Sequence, residues 1–359
     1  MGRSGGDAGA QTSGGVAASL SWLLLDFTRG SSIEQADQQL LAARLARRAA
    51  VLDLVLQVQE TYYQYLGARA LAAAQQSAVK QAETSLAAAE DRRRAGVATI
   101  ADVLQARTAL SQAQLALQDA EGQALTLRGA LATLAGLPPT APLEVGELPE
   151  RVAREAAEPE IERLLDEAAA RNPDLARARA LADAADANAR AVARGGLPTV
   201  GFDAGAQRNW PIRPEGDAQT TWTFGLTLRL PIFEGFGRAY DTIGARETAS
   251  ATRARADATR QQVLLDVWTS HQALRTAGRR LGTSRDLVEA ATLSAEVAAA
   301  RYKEGVGSIL DLLTAQAALE DARAEDVRSR ADWLVSFARL ARTTGRLDPT
   351  SSPTSGEAR

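Results

Sequence analysis

Gly96-Val97-Ala98-Thr99-Ile100-Ala101-Asp102-Val103-Leu104 occurs a second time, as Gly305-Val306-Gly307-Ser308-Ile309-Leu310-Asp311-Leu312-Leu313. The offset is 209 residues and runs on without a gap. Ala106 meets Ala315, Ala109-Leu110 meets Ala318-Leu319, and Ala113 meets Ala322. Of the 18 positions from 96 to 113, nine are identical to their partners. Downstream, Leu131-Ala132 meets Leu340-Ala341 and Gly136 meets Gly345. Upstream, Val58 meets Val267, and Leu25-Asp26 resembles Phe233-Glu234 with a slip of one residue. Self-similarity on this scale means that one large structural unit is present twice.

Each unit reads as a long helix, a short glycine break and a second helix. In the first repeat the helices are expected from about Ser32 to Ala95 and from Ile100 to Ala135. A helix of about 60 residues extends roughly 90 Å, more than a small globular domain accommodates. Val51, Val55, Val58, Tyr62 and Tyr65 follow steps of 4 and 3. So do Val103, Ala106, Leu110, Ala113, Leu117, Ala120, Ala124, Leu127, Leu131 and Leu134. That is a heptad seam, with small residues that let helices approach closely. The second repeat starts the same seam at Leu312, Ala315, Leu319 and Ala322, then meets Asp326 and Ser329. That part of the face is expected to be wet.

Composition agrees with packed helices. Aromatics make up 4% of the 359 residues, and alanine fills long stretches. Lys and Arg total 41 against 44 Asp and Glu, with no basic stripe, so a nucleic-acid partner is not expected. There is no cysteine, which excludes disulfides and thiolate metal sites. No stretch of 18 apolar residues offers a transmembrane helix. If the chain crosses a membrane, strands must do it.

Three segments switch to a period of two. In Thr221 to Leu230, Trp222, Phe224, Leu226, Leu228 and Leu230 alternate with Thr221, Thr223, Gly225, Thr227 and Arg229. In Thr199 to Gln207, Val200, Phe202, Ala204 and Ala206 share one side. In Ala18 to Leu24, Ala18, Leu20, Trp22 and Leu24 do so. These lengths approach what a tilted strand needs to cross hydrocarbon, with apolar groups toward lipid and polar groups toward water. A half-buried soluble sheet would alternate too, but three strands on so much helix could not bury both faces. Arg208 to Gln219 reads as an outward loop. Phe27, Phe233, Phe236 and Tyr240 at strand ends suggest an interfacial girdle.

Three motifs carry a family resemblance. Leu230-Pro-Ile-Phe-Glu-Gly-Phe-Gly-Arg238 resembles the strand-to-helix signature of TolC-type outer-membrane efflux proteins. Arg301-Tyr-Lys-Glu-Gly-Val-Gly-Ser-Ile-Leu-Asp-Leu-Leu-Thr-Ala315 resembles their periplasmic helix-turn-helix tip, and Arg93 to Arg107 is its counterpart in the first repeat. The resemblance covers roughly residues 16 to 345. It implies a mainly α fold with a β-barrel part: duplicated long helical hairpins forming an α-barrel, plus outer-membrane β-strands, assembled as a homotrimer. Each subunit of such proteins gives four strands to a 12-stranded barrel. The implied partners are a periplasmic adaptor (membrane fusion) protein, an inner-membrane pump and outer-membrane lipid. The implied function is a passive conduit in the outer membrane of a Gram-negative-type bacterium, and no enzyme.

On this reading residues 1–30 are the barrel remnant of the first repeat with one strand, and 31–136 its periplasmic hairpin. Residues 137–158 form a linker, 159–196 the helix of the second repeat, and 197–231 its two barrel strands. Residues 232–345 form the second hairpin and 346–359 a disordered tail. Within the second repeat a helix is expected from Ile161 to Arg194. The first repeat has no match to that helix or to the strand after it, so the sequence is expected to be truncated. Met1 to Gly15 also lacks a signal-peptide core. The upstream coding sequence is expected to supply a signal peptide, a helix and one alternating strand.

Six tip residues, Gly96, Val97, Ala98, Gly305, Val306 and Gly307, match the turns where family members meet the adaptor. A glycine permits the reversal and a valine leaves a groove for another helix pair. Asp311 matches a family position in an acidic ring that narrows the periplasmic entrance, and Asp102 is its repeat partner. Thr314 replaces the family's neighbouring acid. Three subunits would bring up to six carboxylates to one axis, a ring that attracts cations and is a candidate divalent-ion site. Both aspartates also suit a capping role, as Thr99-x-x-Asp102 and Ser308-x-x-Asp311. His271, the only histidine, reads as packing or surface, and Arg92 to Arg94 as a solvated face. No nucleophile elbow, phosphate-binding loop or zinc motif appears, so no catalytic residue, cofactor or resident metal is expected. The alternative from another class is a soluble periplasmic coiled-coil adaptor or scaffold.

Overall fold

The computed structural model describes residues 12–149, 160–213 and 217–347. Pro159 and residues 348–359 of the expected tail lie outside them. The elements are β1 (Thr12–Leu25), α1 (Arg29–Arg94), α2 (Ile100–Leu134), α3 (Ile161–Arg171), α4 (Pro173–Arg194), β2 (Thr199–Arg213), β3 (Gln219–Arg229), α5 (Gly237–Lys303) and α6 (Ile309–Thr343). The helices obey the sequence repeat: α1 and α5 end, and α2 and α6 begin and end, at positions 209 residues apart. Among the described residues no helix is long and apolar enough to cross a membrane. The chain divides into two compact units.

The first unit comprises Met1–Arg44 and Ala176–Ala258. Its sheet is antiparallel in the order β1-β2-β3. The register aligns the three period-two patterns: Ala18, Ala206 and Trp222 stand in one row, Leu20, Ala204 and Phe224 in the next, and Trp22, Phe202 and Leu226 in a third. One face of the sheet is therefore continuous apolar surface. On the other, Ser21 donates to Asp203 Oδ1 at 2.6 Å. A bulge between Leu23 and Leu25 sets Leu25, rather than Leu24, opposite Val200.

All three strands depart from their expected bounds. β2 runs on through Trp210 and Pro211, where a loop was expected, and β1 starts at Thr12 among glycines. Pro211 stands opposite Ser13 of β1, beyond the last pair of β2 with β3 at Asn209 and Gln219, so one side of β2 is already unpaired there. Gly14 fits because the Trp210 indole lies over it; a Cβ there would stand 2.7 Å from Nε1. Below the sheet, alanines 42, 180, 184, 187 and 249 are buried where α1, α4 and α5 pack. Arg194 donates to the buried Ser31 hydroxyl at 2.8 Å, and Arg253 pairs with Asp186.

The second unit comprises Leu45–Leu175 and Thr259–Arg359. Tyr63, Leu66, Val327, Ala331, Val335 and Ala338 form its central cluster. Residues 137–149, expected as a linker, lie on this cluster: Leu148 is buried in it, and Arg69 and Arg330 donate to the carbonyls of Val145, Gly146 and Pro149 at 3.3 Å. The stretch of α6 expected to be wet is instead a packed polar seam. Ser329 is 1% exposed, Ser284 donates to Asp326 Oδ1 at 3.3 Å, and Glu325 pairs with Arg280 at 2.7 Å. Arg330 Nε lies 2.9 Å from Asp326 Oδ2 with its N–H not aligned on it. Periodicity marks polar residues as outward, but the opposing helix here supplies partners.

The helix expected from Ile161 to Arg194 is broken. Pro173 lacks an N–H and drives the preceding residue out of the helical region; Asn172 sits at φ −67, ψ 120. Its Oδ1 accepts from the amides of Asp174 at 2.9 Å and Leu175 at 3.3 Å, capping α4, while its Nδ2 donates to the Thr343 carbonyl at 3.0 Å. Beside this break Leu164, Ala168, Leu175, Val263, Val267 and Leu340 close a second cluster. Arg342, 8% exposed, binds Asp53 at 2.7 Å and Asp174 at 2.9 Å. Arg346 pairs with Glu167 and Leu347 is buried, so the order continues past Gly345.

Asn172→Ala removes a buried cap and is expected to cost about 1–2 kcal/mol, read as a lowered urea midpoint. The Glu167 carboxyl is held below its ordinary value near 4.5, chiefly by the hydrogen bond from Arg346. A lowered folded pKa contributes stability that is present above the ordinary value and lost as pH falls through the folded one. The protection of residues 344–347 against hydrogen exchange should therefore fall as pH drops below that ordinary value, and Arg346→Gln should flatten that dependence.

Candidate functional site

The two hairpin tips are built alike. At the end of α1, Gly96 takes φ 78; its amide donates to Arg93 O and that of Val97 to Arg92 O, both at 3.0 Å. At the end of α5, Gly305 takes φ 79, with Val306 N donating to Arg301 O at 3.0 Å. These are left-handed glycine C-caps that satisfy the last carbonyls. Gly307 is tight for another reason: a Cβ there would meet the Tyr302 amide nitrogen at 3.1 Å. Val97 and Val306 are left 68% and 70% exposed, and Ala98 is half-buried.

The next helices start at once with reciprocal caps. Thr99 N donates to Asp102 Oδ2 at 2.8 Å and Asp102 N to Thr99 Oγ1 at 3.3 Å. Ser308 N donates to Asp311 Oδ2 at 3.3 Å and Asp311 N to Ser308 Oγ at 3.1 Å. Each aspartate thus holds its turn with one carboxylate oxygen. Asp311 is exposed and Asp102 half-buried.

What joins the tips was not legible in the sequence. Arg92, expected on a solvated face with Arg93 and Arg94, lies over the Tyr302 ring with its guanidinium carbon 4.5 Å from the centroid, and also donates to the Tyr302 carbonyl. Arg93 and Arg94 do remain exposed. Tyr302 is buried with Ala89, Val103, Ala106, Ile309 and Leu312. Burial pushes its phenol pKa up; Arg92 opposes that shift and Asp102 adds to it. Its hydroxyl is buried without a hydrogen-bond partner. The aromatic next to the basic turn was the one available signal, but pairing across 210 residues is set only by packing.

His271 is half-buried in α5 with its Nδ1 unpartnered. Among the described residues no group of three or more acidic or histidine side chains is placed to hold a metal ion. The second exposed feature is apolar. Trp222, Phe224, Leu226 and Leu228 are 67–72% exposed. Where β3 turns toward α5, Gly235 and Phe236 both take positive φ, 61 and 64, and Ile232, Phe233, Phe236 and Tyr240 project outward. Phe233 and Phe236 meet edge to face, centroids 5.7 Å apart.

A family model described as outer membrane efflux protein matches residues 1–137 and 164–346. The chain is 30% identical over 345 residues to Protein CyaE of Bordetella pertussis, covering 93% of this chain and 72% of that protein. It is 28% identical over 317 residues to the probable efflux pump outer membrane protein TtgC of Pseudomonas putida, covering 88% of this chain and 65% of that one. In fold it is similar to a crystal structure of a membrane protein from Pseudomonas aeruginosa, with a TM-score of 0.79, 23% identity and coverage of 94% and 82%.

Removing the cation from the tyrosine face costs about 1 kcal/mol, roughly a fivefold change in an opening equilibrium. Arg92→Ala should therefore speed amide exchange in the 302–307 turn about fivefold. Tyr302→Phe, which deletes only an unpartnered hydroxyl, should leave it unchanged or slower.

Proposed function

The chain belongs to the outer membrane efflux protein family, and from that premise we propose that three copies form a passive duct through the outer membrane for substrates delivered by an inner-membrane pump and a periplasmic adaptor. The observation that carries this reading is the sheet. Its apolar side chains are exposed in aligned rows, and among the described residues β1 and β3 each have β2 as their one neighbour. Water tolerates neither a large apolar patch nor open strand edges. Lipid accepts the first, and closure with strands of other copies removes the second. The aromatic turn Phe233–Tyr240 then sits at the lipid–water interface. An adaptor would need none of these surfaces, and family membership sets that alternative aside.

The tips Gly96-Val97-Ala98 and Gly305-Val306-Gly307 are the adaptor contacts on this reading. Their exposed valines offer apolar points beside backbone that glycine keeps open. Asp102 and Asp311 line the entrance. Each uses one oxygen as a cap and leaves the other for the axis, so a ring of them attracts cations and narrows the opening.

The test is fractionation of the full-length protein. It should sediment with outer membranes, require detergent for release and run as a trimer; a form that stays soluble without detergent sinks the duct. For the gate, Asp102→Asn with Asp311→Asn keeps an oxygen for each cap while removing the charge. That pair should raise single-channel conductance and weaken block by divalent cations. Unchanged conductance and block would remove both acids from the gate.

A further inference from the structure

A single charge stands among the aligned apolar rows of the sheet. Arg208 follows Phe202, Ala204 and Ala206 on the same side of β2, opposite Val16 of β1 and Thr220 of β3. No bulge interrupts the register there. On the other face Gln207 donates to Asn209 Oδ1 at 3.0 Å, which fixes the alternation on either side of Arg208. From the row of Gly14 and Trp210 to the row of Val200 and Leu228, Arg208 is the one charged residue on the apolar face. It is exposed, and among the described residues it has no ion-pair or hydrogen-bond partner.

Its height in the sheet is telling. The strands run into their helices from Leu25, Thr199 and Arg229, so Arg208 lies toward the far end. Val200 is eight positions away along β2. At a rise of about 3.3 Å and a tilt of roughly 40°, that is about 20 Å of height, near the full depth of a barrel's apolar band. An arginine facing lipid is costly at mid-bilayer and nearly free at the interface. The row therefore belongs to the lipid–water boundary. Trp210 in the row beyond and Trp222 in the row before mark that boundary as aromatic belts do. Between the two indoles the neighbours are small: Gly14, Val16, Ala18 and Ala206. They leave a shallow shelf beside the guanidinium. β2 is the middle strand, so both flanks of the shelf come from this chain.

We propose that Arg208 and this shelf bind a phosphate of lipid A, the phosphorylated and multiply acylated glycolipid of the outer leaflet. The proposal rests on the duct reading above, which puts the helix-bearing end of the sheet toward the periplasm and the Arg208 end at the outer leaflet. Charge decides the ligand. An unpaired guanidinium among lipid headgroups takes an anion, and its planar fork matches two phosphate oxygens at once. Below the phosphate the shelf receives the start of an acyl chain, with Trp210 and Trp222 as its walls. The side chain's own methylenes lie along the apolar rows while its head stays at the boundary.

The test is native mass spectrometry of the full-length trimer in detergent, titrated with bisphosphorylated lipid A and with the same lipid stripped of both phosphates. Wild type should retain the phosphorylated lipid. Arg208→Gln should bind it about fivefold more weakly, and Arg208→Lys, which keeps the charge without the fork, should fall between the two. Arg229→Gln, on the polar face, should match wild type. The stripped lipid should not distinguish wild type from Arg208→Gln. Equal binding of the phosphorylated lipid by those two trimers overturns the site. A difference between them that persists with the stripped lipid overturns phosphate as the ligand. If the wild-type chain itself forms no trimer in the outer membrane, the duct reading fails and takes this proposal with it.

Discussion

Close approach between helices lined with small side chains is the constraint on which this protein depends. Ala89, Ala106, Ala132, Ala168, Ala187 and Ala322 are fully buried, yet each removes little apolar surface from water. Such contacts stabilise only when they recur over many turns, with the backbones near enough for dispersion to act along the whole length. The price is sensitivity to volume. At Gly67 one added methyl already crowds Ala331, and overfilling a packed contact costs about 1–3 kcal/mol. Larger buried residues mark the irregular places: Tyr63 packs with Leu148 of the connecting segment, and Leu164 and Leu175 flank the break at Asn172.

Polar groups do different work in the two repeats. The α1–α2 hairpin joins through Val79, Ala82 and Ala113 with Leu110 and Leu117. Along α6 the corresponding register meets Asp326, which accepts from Ser284 and lies beside Arg330, and Ser329, whose hydroxyl donates to Glu325. Buried ionic contacts seldom add net stability over apolar packing, but breaking one of them leaves an uncompensated charge. They penalise any sliding of α6 against α5 that an apolar seam would tolerate. Arg342 acts in the same way, since its two carboxylates come from α1 and α4. A slip of either helix strands a nearly buried guanidinium.

The tips and the sheet are two places where large apolar side chains stand exposed. At the tips every backbone group that matters is capped, so the exposed valines are offered without cost to the turn. In the sheet the polar face is internally paired through Ser21 and Asp203, whereas the apolar rows have no cover among the described residues. The tips are complete in themselves, whereas the stability of the apolar rows depends on what covers them.

The sequence by itself determined the duplication, the four long helices with the glycine breaks between them, the caps at Asp102 and Asp311, and which side of each strand is apolar. All of these are local: a capping box spans four residues, a heptad seven, and a strand's facing is fixed by alternation. The break at Asn172-Pro173 was equally local and went unread because alanine-rich flanks masked it. Only the tertiary structure decided how the strands align in rows, that Trp210 covers Gly14, that Arg92 leaves the solvent to lie on Tyr302, and that Ser329 is buried and Asp326 half-buried. Each of these joins residues far apart in the chain, and the side on which a polar group finds its partner is a property of the neighbouring element, which no local pattern encodes.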